Sequence, residues 1–479
     1  MRRLMDKSSR RQFLNKACKT IIGVSAMLMI QSDAFSAKKA RPNVIFILMD
    51  DLGWADLGCY GSKFYETPNI DRLAAEGMRF TNAYSACPVC SPTRASVLTG
   101  RYPARIGLTD WIPGHHFPWA KLRVPDFHQE LPLSEVTIVK VLKKVEYSTA
   151  SIGKWHLGKE SYFPEKYGFD VNFGGTNKGQ PPSYFWPYNI PTITSGKEGE
   201  YLTDRLTDEA IRYIKTHKDG PFFLYLPHFA VHTPLQAKEE YIAKFRAKAR
   251  PEDPQNNPVY AAMIQSVDEG VGRIMAVLDE LGIADNTVVI FNSDNGGYGK
   301  ATSNAPLREA KGTLYEGGIR DPLIVRWPGK VKPGTVCDEV VTSTDYFPTI
   351  CEIAGVEPPK NRPLDGLSIL PLLTGSGSIN REAVYWHYPH YHPGGATPCG
   401  AVRAGKWKLI EYFEDGRVEL YNLEEDIGET TDLSTRLPKK AGELKEMLAE
   451  WRKSVNAAMP VPNPNYDPAR ATERQTSTK

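Results

Sequence analysis

Two acidic pairs in the sequence could bind a metal ion. Asp50-Asp51 and Asp294-Asn295 each follow a continuous apolar run. Carboxylate and amide oxygens suit Ca²⁺, with Mg²⁺ as the second choice, and do not suit zinc. Each pair alone is more typical of a helix N-cap or a turn. Because two such pairs follow predicted strands in one chain, they together favour an all-oxygen metal site.

Cys90 lies just before the N-terminus of a predicted helix and could act as a nucleophile. Pro92 fits the first turn of this helix, which is predicted to run to about Thr99 and to stop at Gly100. The N-terminal end of a helix favours anions, and Arg94 would lie in the same turn. A nucleophile beside an anion site is what transfer from a sulfate or phosphate ester requires. A buried, inert cysteine is the alternative interpretation.

Lysine and histidine side chains lie near the ends of other predicted strands. Lys154 and His156 follow one strand, His228 and His232 follow another, and Lys311 lies in a glycine-containing segment. A lysine supplies a point charge for an anionic oxygen, and a histidine can relay a proton near neutral pH. Singly, such residues are usually solvated, but together with the acidic pairs they outline a metal-assisted anion-transfer site.

Cysteine spacing and net charge exclude several other functions. Cys87 and Cys90 have the C-x-x-C spacing, but no second C-x-x-C or H-x-x-H completes a zinc site. The seven cysteines are scattered, which does not resemble a disulfide scaffold. Lys+Arg is 59 and Asp+Glu is 56, so the formal charge is +3. We expect no nucleic-acid partner, because that function needs a clustered basic face.

The N-terminal residues 1–37 are predicted to be an export signal. Residues 9–14, Ser-Arg-Arg-Gln-Phe-Leu, match the twin-arginine pattern. The apolar stretch 21–30 is shorter than the ~20 residues of a membrane span, and residues 34–37 offer small side chains for cleavage. We expect a periplasmic or secreted protein with no stable membrane span after cleavage. An uncleaved anchor or a cytosolic amphipathic start is the alternative.

Apolar runs that alternate with helical patterns predict a doubly wound α/β fold. The run 43–49 is typical of a strand buried on both faces, as in parallel sheets. Further strands are predicted at 148–152, 222–226, 287–291 and 322–327. Helices are predicted from Thr67-Pro68 and from Val259 to Leu281. The pattern implies a mostly parallel central sheet flanked by helices, with ligands at the carboxyl ends of its strands.

The pattern of predicted elements changes near residue 375, where short polar and aromatic strands replace the alternating strands and helices. Residues 406–412 and 418–421 read as a hairpin, and a last helix is predicted over 438–456. We therefore expect a catalytic domain over 38–375 and a small antiparallel sheet with one helix over 376–460. Residues 461–479 are predicted to be a tail, either ordered against the surface or disordered.

These segments together resemble the type I sulfatases of the alkaline-phosphatase superfamily, from residue 42 to about 455. The most specific match is to the signature for oxidation of cysteine to formylglycine (3-oxoalanine). It comprises Cys90-x-Pro92-x-Arg94 and Ser96-x-Leu98-Thr99-Gly100-Arg101. Residues 153–158 resemble the second family signature, and residues 421–429 resemble the family's C-terminal segment. Cys87 does not fit the signature, since Val89 and Ser91 stand where it requires proline and arginine.

The resemblance implies hydrolysis of sulfate esters through a covalent sulfo-enzyme intermediate. Formylglycine made from Cys90 would be the nucleophile, aided by Asp294, and a formylglycine-generating enzyme or radical maturase would make it. Ca²⁺ would be bound by Asp50, Asp51, Asp294, Asn295 and residue 90. In this scheme Arg94 would stabilise the hydrated aldehyde, and Lys154 and Lys311 would bind sulfate oxygens. His232 with Lys311 would protonate the leaving sugar oxygen. His156 would remove the proton of the remaining hydroxyl group.

The substrate is predicted only in outline. Segments 110–116 and 386–392 are rich in aromatic and imidazole groups that suit sugar recognition, with simple loop packing as the alternative. The resemblance favours a sulfated mono-, oligo- or polysaccharide of galactose or N-acetylgalactosamine type. A further sulfate contact would come from Thr176, Asn177 or Lys178, among which the sequence does not choose. A phosphate or phosphonate monoester hydrolase on the same fold is the alternative function, and a non-catalytic glycan-binding protein would require broken site residues.

Overall fold

The computed structural model describes residues 41–471 and 473. The predicted export signal, residues 1–37, lies outside the described residues. The described residues from 42 onward form one compact unit. In the described part of the chain, no helix has the length and apolar character needed to cross a membrane.

The secondary structure of the described residues follows the predicted alternation. The strands are β1 (Asn43–Met49), β2 (Met78–Tyr84), β3 (Leu122–Arg123), β4 (Ser148–Ile152), β5 (Val171–Phe173), β6 (Phe222–Pro227), β7 (Thr287–Ser293), β8 (Arg320–Arg326), β9 (Thr335–Cys337), β10 (Val341–Thr342), β11 (Val384–Tyr388), β12 (Cys399–Ala404), β13 (Trp407–Tyr412), β14 (Val418–Asn422) and β15 (Val461–Pro462). The α-helices are α1 (Pro68–Ala75), α2 (Cys90–Thr99), α3 (Pro103–Ile106), α4 (Ile138–Leu142), α5 (Leu202–His217), α6 (Glu239–Lys248), α7 (Pro258–Glu280), α8 (Glu316–Ile319), α9 (Tyr346–Ile353), α10 (Leu370–Thr374) and α11 (Pro438–Ser454).

The central sheet is mostly parallel and is covered on both faces. Its strand order is β10-β2-β8-β7-β1-β6-β4-β5, with β9 also beside β2. Strands β7, β1, β6, β4 and β5 run parallel, whereas β8 is antiparallel to both β7 and β2. Alternate residues of β1 enter two different hydrophobic cores, one on each face of the sheet. This arrangement confirms the predicted doubly wound α/β fold.

The predicted elements differ from the observed ones mainly at their ends. Strands β1 and β4 have the predicted bounds, and β6, β7 and β8 are within two residues of them. Strand β2 was not predicted, because its sequence mixes polar and apolar residues and its middle is only partly buried. Strand β12 was also missed, since glycine and alanine give it little β-propensity.

The C-terminal sheet has the order β11-β12-β13-β14 and is antiparallel, which confirms the predicted small sheet and its hairpin. Helix α11 packs on one face through Leu444 and Leu448, against Val402 and Leu409. The other face shares a hydrophobic core with strand β2 and the segment before α2. The described part of the tail lies against the surface, where β15 pairs with β3.

Candidate functional site

The register of the parallel strands brings the predicted site residues to one edge of the sheet. Met49 at the end of β1 pairs with Ser293 at the end of β7, so the two acidic pairs follow side by side. Leu48 pairs with Pro227 at the end of β6, and the carbonyl of Pro227 accepts a hydrogen bond from the N–H of Lys154 at 2.7 Å. Three loops therefore begin within hydrogen-bonding distance of one another.

Cys90 is the first residue of α2, and its thiol faces a histidine. Val89 is extended and precedes the helix, and Gly100 ends it in the left-handed conformation (φ 69°). A side chain at Gly100 would also collide with Phe347. The Cys90 Sγ atom lies 3.3 Å from Nδ1 of His156, and both residues are buried.

His156 is oriented as a proton acceptor toward Cys90. Its Nε2 lies 2.6 Å from the carbonyl oxygen of Ile112, which can only accept a hydrogen bond. The proton of the neutral ring is therefore on Nε2, and Nδ1 presents a lone pair to Cys90. Burial, with the positive charge of Lys154, lowers the pKa of His156 well below its usual value. The Ile112 carbonyl was missed at the sequence level because a main-chain group leaves no residue-type signal.

Three carboxylates and three cations form the strand-end cluster: Asp50, Asp51, Asp294, Arg94, Lys154 and Lys311. Lys154 Nζ donates to Asp50 Oδ2 at 2.7 Å, and Arg94 Nε donates to Asp294 Oδ2 at 2.9 Å. Arg94 also donates to the carbonyl of Lys154 at 3.1 Å. Five of the six side chains are almost completely buried, and that of Lys311 is 12% exposed. The three positive and three negative side chains balance in number, and Lys311 lies at the side of the cluster that is partly exposed to solvent.

Asp51 is held ionised by two side chains from different loops. Lys311 Nζ lies 2.6 Å from Asp51 Oδ1, and His232 Nε2 lies 3.7 Å from Oδ2. Burial alone would raise the pKa of Asp51, but Lys311 and His232 outweigh it and hold the pKa below the usual range. Burial lowers the pKa of His232 to about 3. His232 and Lys311 thus lie together on one carboxylate, at the partly exposed side of the site.

The residues at the acidic pairs fit a hard cation. Asp50 Oδ1 and Asn295 Oδ1 are buried and accept no hydrogen bond, although Asn295 Nδ2 donates to Asp51 Oδ1 at 2.8 Å. Asp50, Asp51 and His232 also offer ligand atoms within 4.8 Å of one another. Buried oxygens without a donor are costly unless a cation binds them, and oxygen ligands are those that Ca²⁺ takes.

The remaining candidates occupy different positions around the site. Thr176 is buried, and its carbonyl accepts a hydrogen bond from the N–H of His156 at 2.9 Å, whereas Asn177 and Lys178 are exposed. His228 is buried, and burial lowers its pKa to about 4.

None of the cysteines in the described residues forms a disulfide, so the C-x-x-C spacing carries no such bond. Cys87 Sγ instead lies 3.9 Å from the carbonyl of Thr109. Within the C-x-x-C pair, it is Cys90 whose thiol faces a catalytic-type histidine.

An arrangement that gathers cations, carboxylates and a helix-start cysteine at the carboxyl edge of a sheet is typical of enzymes that transfer anionic groups. Two family models match the chain. The model described as Sulfatase matches residues 42–356, and the one described as N-sulphoglucosamine sulphohydrolase, C-terminal, matches residues 310–454. The chain belongs to the sulfatase family and is a sulfuric ester hydrolase.

Relatives and solved structures cover most of the chain. It is 36% identical over 435 residues to the N-acetylgalactosamine-6-sulfatase of Rattus norvegicus, covering 84% of this chain and 79% of the relative. It is 34% identical to a sulfatase of Formosa agariphila, covering 90% and 92%. The crystal structure of Ps i-CgsB in complex with k-i-k-neocarrahexaose is 32% identical, with a TM-score of 0.74 and coverage of 91% of this chain and 95% of that one.

Proposed function

We propose that this sulfatase acts on a sulfated carbohydrate with a formylglycine nucleophile made from Cys90 and with bound Ca²⁺. The observation that carries the proposal is the lone pair of His156 Nδ1, which faces residue 90 at 3.3 Å beside the strand-end cluster. A proton acceptor fixed at a helix-start residue, within reach of three cations, suits transfer of an anionic group to that residue.

The hydrated aldehyde at residue 90 has two hydroxyl groups. One hydroxyl gives its proton to Asp294 as its oxygen attacks sulfur, and the bond from sulfur to the sugar oxygen breaks, which leaves sulfate esterified to residue 90. His156 then takes the proton of the second hydroxyl, so the aldehyde carbonyl reforms as the bond from Cβ to the sulfate oxygen breaks. Water rehydrates the aldehyde. A serine could not release sulfate in this way, because it has no second hydroxyl.

The charged side chains of the cluster have separate roles in this scheme. Lys154 and Lys311 bind sulfate oxygens, and Arg94 stabilises the hydrate while it holds Asp294 in place. His232 with Lys311 delivers a proton to the leaving sugar oxygen. The proton comes from the Lys311 ammonium, because burial keeps the His232 ring uncharged. Their common contact with Asp51 at the partly exposed side of the site supports this pairing.

Asp50, Asp51, Asp294, Asn295 and residue 90 would hold the Ca²⁺. The buried oxygens of Asp50 and Asn295 without a hydrogen-bond donor support this assignment. A bound Ca²⁺ would supply positive charge to the sulfate group and to the nucleophile.

The relatives support a proposal for the substrate class, and the N-terminal sequence supports one for the location. One relative is an N-acetylgalactosamine-6-sulfatase, and one structural neighbour, Ps i-CgsB, is in complex with k-i-k-neocarrahexaose. We therefore propose a sulfated galactose or N-acetylgalactosamine glycan as substrate. The twin-arginine pattern at residues 9–14 supports export to the periplasm or beyond, and the signature at Cys90 supports modification by a formylglycine-generating enzyme or radical maturase.

Comparison of ester classes tests the reaction. We expect purified enzyme to hydrolyse an aryl sulfate faster than the matching aryl phosphate or phosphonate. Faster phosphonate turnover would favour the alternative, a phosphonate monoester hydrolase on the same fold. Mass spectrometry of the peptide that contains residue 90 should show an aldehyde in place of the thiol, and an intact thiol in fully active enzyme would overturn the nucleophile assignment.

A further inference from the structure

A row of aromatic rings lies beside Cys90 and the strand-end cluster. We name Trp111, His115 and His392 the aromatic arc. The ring centroid of Trp111 lies 6.2 Å from that of His156, and the His115 centroid lies 5.0 Å from those of both Trp111 and His392. The arc therefore begins at the proton acceptor that faces Cys90.

The far end of the arc touches the loop that carries Lys311. A Cβ atom added at Gly312, next to Lys311, would overlap the ring of His392. Gly312 also has a positive φ of 88°, and its N–H donates to the carbonyl of Pro88 at 2.9 Å. Because the loop is bound close to Cys90, the arc extends from His156 to the loop that carries Lys311.

Both histidines of the arc have a fixed tautomer. Trp111 Nε1 donates to His115 Nδ1 at 2.9 Å, and the N–H of Gly394 donates to His392 Nδ1 at 3.0 Å. Indole and main-chain N–H groups can only donate, so each Nδ1 accepts and the proton of each neutral ring is on Nε2. Because the hydrogen bond to each ring engages Nδ1, Nε2–H is the remaining donor of each ring.

These two rings are uncharged at neutral pH. Burial, with the nearby charge of Lys311, lowers the pKa of His115 to about 4. Burial, with His115 and Lys311, lowers the pKa of His392 to about 3. An uncharged N–H donor suits a hydroxyl or amide oxygen, whereas a second sulfate would call for a cation.

Buried hydrogen bonds hold the two segments of the arc together. Asp110 accepts from the N–H of Trp111 at 2.9 Å and from the hydroxyl of Tyr388 at 3.0 Å. Thr109 Oγ1 lies 2.8 Å from Nε2 of His390. These contacts join segment 109–115 to segment 388–392, so the two donors are positioned before any ligand binds.

We propose that the aromatic arc is the sugar-recognition wall of the pocket, and that His115 and His392 donate Nε2–H hydrogen bonds to hydroxyl or acetamido oxygens of the sulfated sugar. Trp111 offers its ring face to the apolar face of the sugar. This assignment rests on the proposed function and adds to it the residues that choose the substrate. An aryl sulfate has no such oxygens and depends on the sulfate contacts alone.

Kinetics on two substrate types test the proposal. We would measure kcat and KM of His115→Ala, His392→Ala and the wild type with 4-nitrophenyl sulfate and with defined sulfated galactose and N-acetylgalactosamine monosaccharides. We expect kcat/KM for the best sugar to fall about tenfold or more in each variant, because one hydrogen bond is lost. Turnover of the aryl sulfate should stay within about twofold of wild type.

Two further variants separate recognition from a structural role. His392→Gln can place an amide N–H near the Nε2 position, so it should recover part of the lost sugar activity. His128→Ala, a change at an exposed histidine away from the arc, should alter neither substrate.

Three results would overturn the proposal. They are an equal loss on both substrate types, no loss on the sugar, and a wild-type enzyme that prefers the aryl sulfate to every sugar. If the wild type hydrolysed no sulfate ester at all, the proposed function itself would fail, and the arc proposal with it.

Discussion

Two groups of buried charges in this chain use the same residue types for different purposes. The strand-end cluster lies at the carboxyl edge of the large sheet. The inter-sheet cluster, Glu316, Lys408 and Glu429, lies between the large sheet and the C-terminal sheet and is completely buried. Lys408 Nζ lies 2.8 Å from both glutamates, and Tyr84 donates to Glu316 Oε2 at 2.6 Å. Every carboxylate oxygen of the inter-sheet cluster therefore lies beside a cation or a donor.

The difference lies in what each cluster leaves unsatisfied. At the strand-end cluster, Asp50 Oδ1 and the neighbouring Asn295 Oδ1 accept no hydrogen bond, and Lys311 and the adjoining His232 are 12% and 16% exposed. The inter-sheet cluster instead stabilises a loop. The N–H of Glu316 donates to the Glu429 carboxylate at 2.7 Å, and Arg308 donates to the Glu429 carbonyl at 2.7 Å. Glu429 thus binds both ends of the loop that carries Lys311. Unsatisfied oxygens and an opening, rather than buried charge, mark the site of chemistry.

The largest effect should come from the nucleophile of the strand-end site. Cys90→Ala should lower kcat/KM for an aryl sulfate by about 10³-fold or more, because no formylglycine can form. The thermal midpoint should stay near that of wild type. Cys87→Ala is the matched control, since Cys87 is also buried but faces no histidine, and it should keep most activity. Comparable losses in the two variants would contradict the assignment of Cys90.

The second-largest effect should come from metal removal, which should affect the strand-end cluster and not the inter-sheet cluster. Chelation of Ca²⁺ should abolish activity and lower the thermal midpoint, and added Ca²⁺ should restore both. The stabilisation by the ion is about 2.7 kcal/mol at a hundredfold excess over its Kd. Asp51→Asn should remove most of this calcium-dependent shift, whereas Asp415→Asn, at an exposed acid, should retain it. If the enzyme were shown to be metal-free and still had unchanged activity and an unchanged thermal midpoint, the metal site would be refuted.

The sequence predicted the strand-end cluster better than the inter-sheet cluster, for a physical reason. Asp50 and Asp294 follow apolar strands, and parallel register brings strand ends together, so their proximity could be expected. Glu316, Lys408 and Glu429 meet only because two sheets pack on each other. Nothing in local periodicity encodes that packing, and Glu429 was noticed only as part of a family segment. The tautomers of His115 and His392 likewise depend on main-chain and indole donors that no motif contains.

Equivalent lysine changes should have opposite outcomes in the two clusters. Lys154→Met should lower kcat/KM by about 10²–10³-fold, because the proposed sulfate contact is lost, and should leave the enzyme folded in the presence of Ca²⁺. Lys408→Met should destabilise the protein by about 3–5 kcal/mol, because it leaves two buried glutamates without their shared cation. Activity per folded molecule should fall far less in Lys408→Met than in Lys154→Met. Urea unfolding measures the stability of both variants, and kinetics normalised to the concentration of folded enzyme measure their activity. A stable but inactive Lys408→Met variant would contradict a purely structural role for the inter-sheet cluster.

The smallest effect concerns the titration of Glu429. Burial raises the pKa of Glu429 to about 7, with Lys408 opposing and Glu316 adding to the rise, and the Arg308 guanidinium faces its carbonyl. Its pKa in the unfolded chain is near 4.5. The folded state therefore binds more protons between these values, so stability from this group is complete below pH 4.5 and is lost as the pH rises through 7.

Glu429→Gln removes that titration, so comparison with wild type shows whether Glu429 makes the protein less stable or more stable as the pH rises. The free energy of unfolding of wild type relative to Glu429→Gln should fall as the pH rises from 5 to 7, by at most about 1.4 kcal/mol per pH unit. Urea unfolding at several pH values measures it, with Glu424→Gln, at an exposed residue, as the control. Parallel pH curves for wild type and Glu429→Gln would mean that Glu429 stays ionised like Glu316, whose pKa the opposing charge of Lys408 holds at about 2 despite its burial. Lys408 and Arg320, which lies 3.2 Å from Glu316 Oε2, would then balance the two carboxylates of the inter-sheet cluster. Its contrast with the strand-end cluster would rest on solvent access alone.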